Sequence, residues 1–367
     1  MKRIVICCDG TWQRLYNDSL TNVALTARAI APRDAKGNAQ IVYYSPGVGV
    51  SLHGVSMWQG MTGADLDDHL LDAYLFLNLN YEPGDEIFLF GYSRGAYTVR
   101  SLAGLLRKCG LLRRAHVDKA RAALELYRHR EGNADSFLAS RFRAAHAIAW
   151  PRIKKDGATI DTPPIDLRIR YVGVWDTVGS LGIPRVLPIS IGLNDGYRFH
   201  DTELSRAVFS ARHAVAIDER RAAFKPTLWT NLEPFNPPGG PQRVVQSWFP
   251  GDHGAIGGNA ESRGISNCAL LWVLEGAEHV GLKLAREPGS VISGALADVD
   301  PLNAAIGSKR RSMLDLMGRR WRVGPRDYAD LHEVARLRWQ ADHTYRPKPL
   351  LRFASEISEE LRAARAA

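Results

Sequence analysis

Five short runs of mainly apolar residues punctuate the chain, at 3–8, 40–44, 86–90, 167–175 and 243–249. Where they run without polar alternation they read as strands buried on both faces. Between them the apolar positions switch to helical spacing: 22–30 follows the first run, 66–79 precedes the third, 96–106 follows it and 266–277 follows the last. Alternation of strand and helix predicts the α/β class, a mostly parallel sheet with helices on both faces. In such a sheet the functional groups belong on loops beyond the carboxyl ends of the strands. Two segments break the alternation and are expected to be insertions over that functional edge. The first, about 111–164, is rich in arginine and alanine and helical as far as Trp150-Pro151. The second, about 182–241, is interrupted by Pro184, Pro188, Pro226, Pro234, Pro237 and Pro238. The expected organisation is one large domain over 1–285 and a C-terminal extension, 286–367, packed on it and ending in an amphipathic helix at 355–365.

The third run delivers a serine into a tight turn: Glu86-Ile87-Phe88-Leu89-Phe90-Gly91-Tyr92-Ser93-Arg94-Gly95-Ala96. Pro83-Gly84-Asp85 turns the chain into the run, and helical spacing resumes directly after it. A serine on a sharp strand-to-helix turn is crowded on both sides, which glycine two positions before and two after relieves. Gly91 and Gly95 occupy those positions. The turn would lift the Ser93 hydroxyl out of the sheet and aim the first amides of the helix, beginning with Arg94, where an oxyanion would form. With 33 glycines in the chain, the bare Gly-x-Ser-x-Gly pattern is weak. Its strand–turn–helix setting makes Ser93 a candidate nucleophile.

A serine hydroxyl at neutral pH needs a histidine base and an acid that fixes its tautomer. Asp176 ends the apolar stretch Tyr171-Val172-Gly173-Val174-Trp175 and opens a glycine-containing loop. His253 sits on the tight loop Pro250-Gly251-Asp252-His253-Gly254. The chain order Ser93, Asp176, His253 is that of an α/β-hydrolase, and differs from the chymotrypsin and subtilisin orders. His53 and His213 are competing bases, and Asp218, in Ile217-Asp218-Glu219-Arg220-Arg221, is the competing acid. A second oxyanion donor is expected from Gly10 or Thr11, in Asp9-Gly10-Thr11-Trp12 directly after the first strand. His69 lies among Asp65, Asp67, Asp68 and Asp72 on a helical pattern, which reads more simply as a solvated face than as a cation site.

Composition narrows the picture. A net charge of +9 could steer an anionic partner such as a phospholipid head group, although much of it is arginine spread over a solvated surface. Neither a nucleic-acid-binding motif nor a basic tail is present, so nucleic acid is not an expected partner. The four cysteines, Cys7, Cys8, Cys109 and Cys268, form no Cys-x-x-Cys pair, which argues against a disulfide scaffold and a zinc site. Gly47-Val48-Gly49 lacks a third glycine at dinucleotide spacing, and no phosphate loop occurs. No cofactor and no metal are therefore expected. The N-terminal apolar run is too short for a signal-peptide core, and no stretch is long enough to span a bilayer. The expectation is a chain made in the cytoplasm, any export relying on a machine that needs no cleavable signal.

Taken together, Cys8-Asp9-Gly10-Thr11-Trp12, Thr21-Asn22-Val23, Gly91-Tyr92-Ser93-Arg94-Gly95-Ala96-Tyr97-Thr98, Gly173-Val174-Trp175-Asp176-Thr177-Val178, Ile217-Asp218-Glu219-Arg220-Arg221 and Trp248-Phe249-Pro250-Gly251 resemble the DUF2235 family of α/β-hydrolases, which includes phospholipase effectors of bacterial type VI secretion. The matches run in the family's order from residue 8 to about residue 280. The resemblance implies a serine ester hydrolase with nucleophile Ser93, acid Asp176 and base His253, cleaving acyl esters of glycerophospholipids through an acyl-enzyme. It also implies a lipid substrate, peripheral contact with a membrane, and a secretion-apparatus or immunity protein as partner. Two departures bear on it. Where members commonly carry an acidic residue two positions after the histidine and then three glycines, this chain has Ala255 and Gly257-Gly258-Asn259. Secreted members are often considerably longer. A soluble small-molecule esterase or thioesterase, and a catalytically silent binding module of the same fold, are the alternative expectations.

Overall fold

The computed structural model describes residues 1–11, 13–17, 19–47, 63–129, 137–155, 158–179, 202–260, 262–302 and 318–366. Six parallel strands form the central sheet: β1 (Arg3–Cys8), β2 (Gln40–Ser45), β3 (Glu86–Tyr92), β4 (Ile169–Trp175), β5 (Val208–Ala216) and β6 (Val244–Phe249), in the spatial order β2-β1-β3-β4-β5-β6. Each adjacent pair is parallel. The described helices are α1 (Asn22–Ala29), α2 (Gly63–Asn80), α3 (Arg94–Cys109), α4 (Ala120–Arg128), α5 (Phe137–His146), α6 (His253–Gly257), α7 (Gly264–His279), α8 (Val291–Ala297), α9 (Glu333–Ala341) and α10 (Ala354–Ala366). This is the parallel, doubly covered sheet expected from the alternation of elements, and the α/β-hydrolase-like architecture that the order of the site residues and the family resemblance imply.

Continuous apolar runs suit these strands because both faces of the sheet are covered. Ile4, Ile6, Ile87, Leu89, Val172 and Val174 point into one core with α2 and α3, while Val5, Cys7, Phe88, Phe90, Tyr171 and Trp175 point into the other with α1 and α7. Successive strand residues thus alternate between two buried layers. The segment 111–164 contributes α4, α5 and two short antiparallel ribbons. Its Ala120, Ala123 and Leu124 extend the first core.

β5 lies inside the segment expected as the second insertion, so residues 208–216 belong to the sheet itself. Its sequence hides this because Arg212 and His213 interrupt the apolar run. The Arg212 guanidinium reaches out along α7, pairing with Glu275 at 2.7 Å. The His213 ring is buried but satisfied: its Nε2 accepts from the Thr177 amide at 3.2 Å, and its Nδ1 faces Gln246 Oε1 at 3.0 Å.

A third core covers the β6 side of the sheet. Val215, Ile217 and Trp248 pack there against Leu331, Ala335, Trp339, Tyr345, Leu350, Phe353 and Ile357 from the C-terminal region. His332 donates its amide to the Trp248 carbonyl at 3.1 Å, so that region also pairs with the strand that would otherwise be an open edge.

The strand order reverses between β1, whose neighbour β2 lies on one side, and β3, from which the chain proceeds the other way. Loops leaving the carboxyl ends of β1 and β3 meet at this reversal, the place where open α/β sheets put their ligands. Those loops are Asp9-Gly10-Thr11 and the turn at Ser93.

Candidate active site

Ser93 is the hinge between β3 and α3, with φ +57° and ψ −118°, backbone that a non-glycine residue rarely adopts. Its amide donates to the Trp175 carbonyl at 3.1 Å, tying the turn to the end of β4. The flanking glycines are required by packing. A Cβ on Gly91 would lie 2.5 Å from the Gly95 carbonyl oxygen, and one on Gly95 would lie 2.0 Å from the carbonyl oxygen of Cys8. Close approach of α3 to both β3 and β1 therefore depends on hydrogen at these two positions.

His253 comes from the loop after β6. The Asp252 carboxylate caps α6 by accepting the Ala255 amide at 3.0 Å, which places His253 at the first helical position. Its ring lies between Tyr92 and Phe224, with centroids 4.8 Å and 4.6 Å away. The Tyr92 hydroxyl donates to the His253 carbonyl at 3.0 Å. His253 Nε2 stands 2.8 Å from Ser93 Oγ, and Nδ1 stands 2.6 Å from Asp176 Oδ2. A carboxylate only accepts, so the ring proton belongs on Nδ1 and the Nε2 lone pair faces the serine hydroxyl.

Asp176 directly follows β4, at φ +39°, and is fully buried. Each of its oxygens meets donors. Oδ1 accepts from the Ala216 amide at 2.9 Å and from Arg322 Nη1 at 2.7 Å; Oδ2 accepts from His253 and from Arg322 Nη2 at 2.9 Å. Burial pushes the carboxyl toward its neutral form, but the Arg322 charge and the hydrogen bonds outweigh it and hold Asp176 well below the usual carboxylate range.

The structure therefore brings Ser93, His253 and Asp176 into one hydrogen-bonded series, although they lie on three separate loops. The Gly10 loop is adjacent: a Cβ on Gly10 would lie 2.7 Å from the Tyr92 ring and 3.5 Å from Ser93 Cβ. The Gly10 amide, however, already donates to Asp9 Oδ1 at 2.7 Å. Gly10 thus serves the site by its missing side chain, and its amide is engaged elsewhere. Arg94 Nε donates to the Thr11 hydroxyl, joining the helix start to this loop. Asp9 anchors the loop from below, with Oδ2 accepting from Thr21 at 2.7 Å and Tyr44 at 2.6 Å, and burial pushes its carboxyl up to about 6.

Other residues hold these loops in place. Asn22 donates to the carbonyls of Ile256 at 2.9 Å and Ser266 at 3.1 Å, and accepts from Arg263 at 2.8 Å, clamping α6 from α1. Asp218 does not face the histidine ring; it accepts the Gly251 amide at 2.6 Å and the Tyr345 hydroxyl at 3.0 Å, and so anchors the loop that carries His253. Burial pushes Asp218 up to about 7. Glu219 accepts the His253 amide at 3.3 Å and pairs with Arg221 at 2.6 Å. His213 is engaged by Thr177 and Gln246 behind the site, and burial lowers it to about 3. His69 Nδ1 faces Ser45 Oγ at 2.7 Å. His53 and Trp12 lie outside the described residues.

Among the described residues no group of three or more histidine, cysteine or carboxylate side chains could hold a metal ion. The four cysteines are buried free thiols, and burial pushes Cys8 up to about 12, which leaves it a poor rival to Ser93. Among the described residues no helix is long and apolar enough to cross a membrane. Arg322 was invisible to sequence reading, because it lies in Arg320-Trp321-Arg322, 146 residues from its carboxylate, in a stretch with no motif of its own.

Comparison with known proteins finds similar chains, among them the following. The uncharacterized protein YEL023C of Saccharomyces cerevisiae is 29% identical over 257 residues, covering 64% of this chain and 34% of the yeast protein. A solved structure of an uncharacterized protein from Pseudomonas aeruginosa covers 86% of this chain and 52% of its own, at 16% identity and a TM-score of 0.44. The Tle1 effector, solved bound to the VgrG spike of the type 6 secretion system, covers 70% of this chain and 51% of its own, at 20% identity and a TM-score of 0.40. The chain thus spans about a third of the yeast relative's length and about half of each solved chain. A family model, "T6SS, Phospholipase effector Tle1-like, catalytic domain", matches residues 2–276, the stretch that carries Ser93, Asp176 and His253. The chain belongs to the Tle1-like phospholipase effector catalytic-domain family of the type VI secretion system.

Proposed function

We propose that the protein is a phospholipase-type serine hydrolase that cleaves carboxylic acyl esters of glycerophospholipids. The observation that carries this reading is the unbroken series Ser93 Oγ, His253 Nε2 and Nδ1, Asp176 Oδ2, at 2.8 Å and 2.6 Å, at the point where the strand order reverses. Family membership supports lipid over a small soluble ester as the substrate.

In this reading Ser93 Oγ attacks the ester carbonyl while His253 Nε2 takes its proton. Asp176 keeps the Nδ1–H tautomer in place and stabilises the imidazolium that forms. The Arg94 and Thr11 amides are the proposed donors to the oxyanion, at the start of α3 and in the loop after β1. The tetrahedral intermediate collapses, the imidazolium gives its proton to the departing glycerol oxygen, and the acyl group stays on Ser93. Water, deprotonated by the same histidine, then releases the fatty acid. Delivery through a type VI secretion apparatus is the route to substrate that the family supports.

The test is release of fatty acid from phosphatidylethanolamine and phosphatidylglycerol vesicles, with p-nitrophenyl esters in parallel. Ser93→Ala is expected to lower turnover by about four orders of magnitude with the fold intact. Equal hydrolysis by the variant would overturn the mechanism, and cleavage of short esters with untouched vesicles would overturn the lipid assignment.

A further inference from the structure

Arg322 lies beyond residues 2–276, the stretch that matches the family, yet it closes the far side of the proposed acid. Its side chain is 5% exposed. Both terminal nitrogens engage Asp176, one on each oxygen, and each also donates to a carbonyl: Nη1 to Ala216 at 2.8 Å and Nη2 to Phe224 at 2.6 Å. The backbone that presents it is docked as well. Ala222 donates to the Gly318 carbonyl at 3.0 Å and Arg320 donates to the Arg220 carbonyl at 2.7 Å, so this segment pairs alongside the stretch that includes Glu219 and Arg221. The Arg220 guanidinium lies over the Trp321 ring, 4.7 Å from its centroid. The fork is therefore held in place before any substrate arrives.

A carboxylate that only oriented a histidine would need an anchor but no full counter-charge. Asp176 has the Ala216 amide as an anchor and a bidentate guanidinium in addition. We propose that Arg322 is a positioning residue of this site: its fork fixes the Asp176 carboxylate against His253 Nδ1 and offsets its charge, so that the Nδ1–H tautomer is held and Nε2 stays free to take the Ser93 proton. The proposal rests on the hydrolase reading above. Among the described residues, the other charged or titratable groups around His253 are Glu219 at its amide, Asp252 beside it in the chain, Tyr92 at its carbonyl, and Arg221, which pairs with Glu219. Of these and Arg322, Arg322 alone bonds the carboxylate that faces the ring nitrogen.

The test compares full-length wild type, Arg322→Met, Arg322→Lys, Asp176→Asn and the double variant Asp176→Asn/Arg322→Met. The readouts are kcat and KM on a p-nitrophenyl ester across about pH 5–9, and the rate at which a fluorophosphonate labels Ser93. Arg322→Met is expected to lower kcat about 100-fold with KM nearly unchanged, as for a reacting group displaced by about 1 Å. Its acidic limb moves to higher pH, because an uncompensated carboxylate favours the imidazolium. Arg322→Lys keeps the charge without the fork: the limb stays in place and kcat recovers in part. With Asp176 already replaced by Asn, removing Arg322 costs no further activity, since both act through one carboxylate. A limb and a kcat in Arg322→Met equal to wild type overturn the proposal, as does a double variant in which the two losses multiply. Should Arg322→Met fail to fold by circular dichroism, Arg322→Lys decides, and its equality with wild type in kcat overturns the proposal. Wild type that neither labels nor hydrolyses overturns the hydrolase reading and the proposal together; labelling by wild type with no effect of Arg322 overturns the proposal alone.

Discussion

Replacing Asp176 by Asn tests the site most severely, because every group that faces this carboxylate is a donor. Oδ1 receives the Ala216 amide and Arg322 Nη1; Oδ2 receives His253 Nδ1 and Arg322 Nη2. Asparagine offers one oxygen and one NH2 group, so either orientation sets a donor against two donors. With the NH2 toward His253, the ring escapes the clash by moving its proton to Nε2, which then cannot accept from Ser93. With the NH2 toward Ala216, an amide in the sheet loses its acceptor. In both cases Arg322 is left buried without an opposing charge, a loss of about 3–5 kcal/mol in stability. The tautomer error should lower kcat/KM by about 10⁴, or about 5.5 kcal/mol in transition-state free energy. Urea unfolding followed by circular dichroism measures the first quantity, and ester hydrolysis, normalised to folded protein at low temperature, the second. Activity within tenfold of wild type would refute the assigned role of Asp176. An unchanged urea midpoint would refute the account of its buried charge.

Three further outcomes follow from the geometry. Gly95→Ala should lose more than about 3 kcal/mol of stability or fail to fold, since its methyl would sit 2.0 Å from the Cys8 carbonyl oxygen in the sheet backbone; a melting temperature like wild type's contradicts the packing described. Asn22→Ala removes a donated bond to α6, a donated bond to α7 and an accepted bond from Arg263, and should cost about 2–4 kcal/mol together with slower fluorophosphonate labelling of Ser93; equal labelling would show that α6 is held without it. For Asp218 the sign is opposite to that of a paired carboxylate. Its folded value is raised to about 7, so between the usual carboxylate range and there the folded protein keeps a proton that the unfolded chain releases. Its contribution to stability therefore falls as pH rises through that window. Asp218→Asn, whose amide oxygen can still accept from Gly251 and Tyr345, should gain on wild type by a few kcal/mol in urea unfolding between about pH 4 and 7.5, and a pH-independent difference would refute the assignment.

The sheet was legible wherever burial on both faces produced an apolar run, which covers β1, β2, β3, β4 and β6. β5 escaped because burial there is achieved by matching polar groups at long range. Arg212 has Glu275 as its partner and His213 has Thr177 and Gln246, and none of these pairings has a local signature. The turn at Ser93 was legible because steric crowding leaves glycines at fixed spacing. The role of Asp218 was not, since an aspartate that anchors a loop and one that faces a histidine look alike in sequence. The Gly10 amide was misjudged for a related reason: that it would be taken by the neighbouring Asp9 carboxylate depends on a side-chain rotamer, which no pattern of residues encodes. Arg322 lay furthest from view, its contact fixed by the pairing of its segment alongside residues 220–222, about a hundred positions earlier in the chain.

The hydrogen-bonded series links residues 160 and 77 positions apart. Closing it brings together segments that leave the ribosome at widely separated times, and non-local closure of this kind is slow to form. A nascent or truncated chain that stops before residue 253 holds Ser93 and Asp176 but lacks the base proposed for them. In the proposed mechanism, reactivity at Ser93 is therefore acquired only late in synthesis.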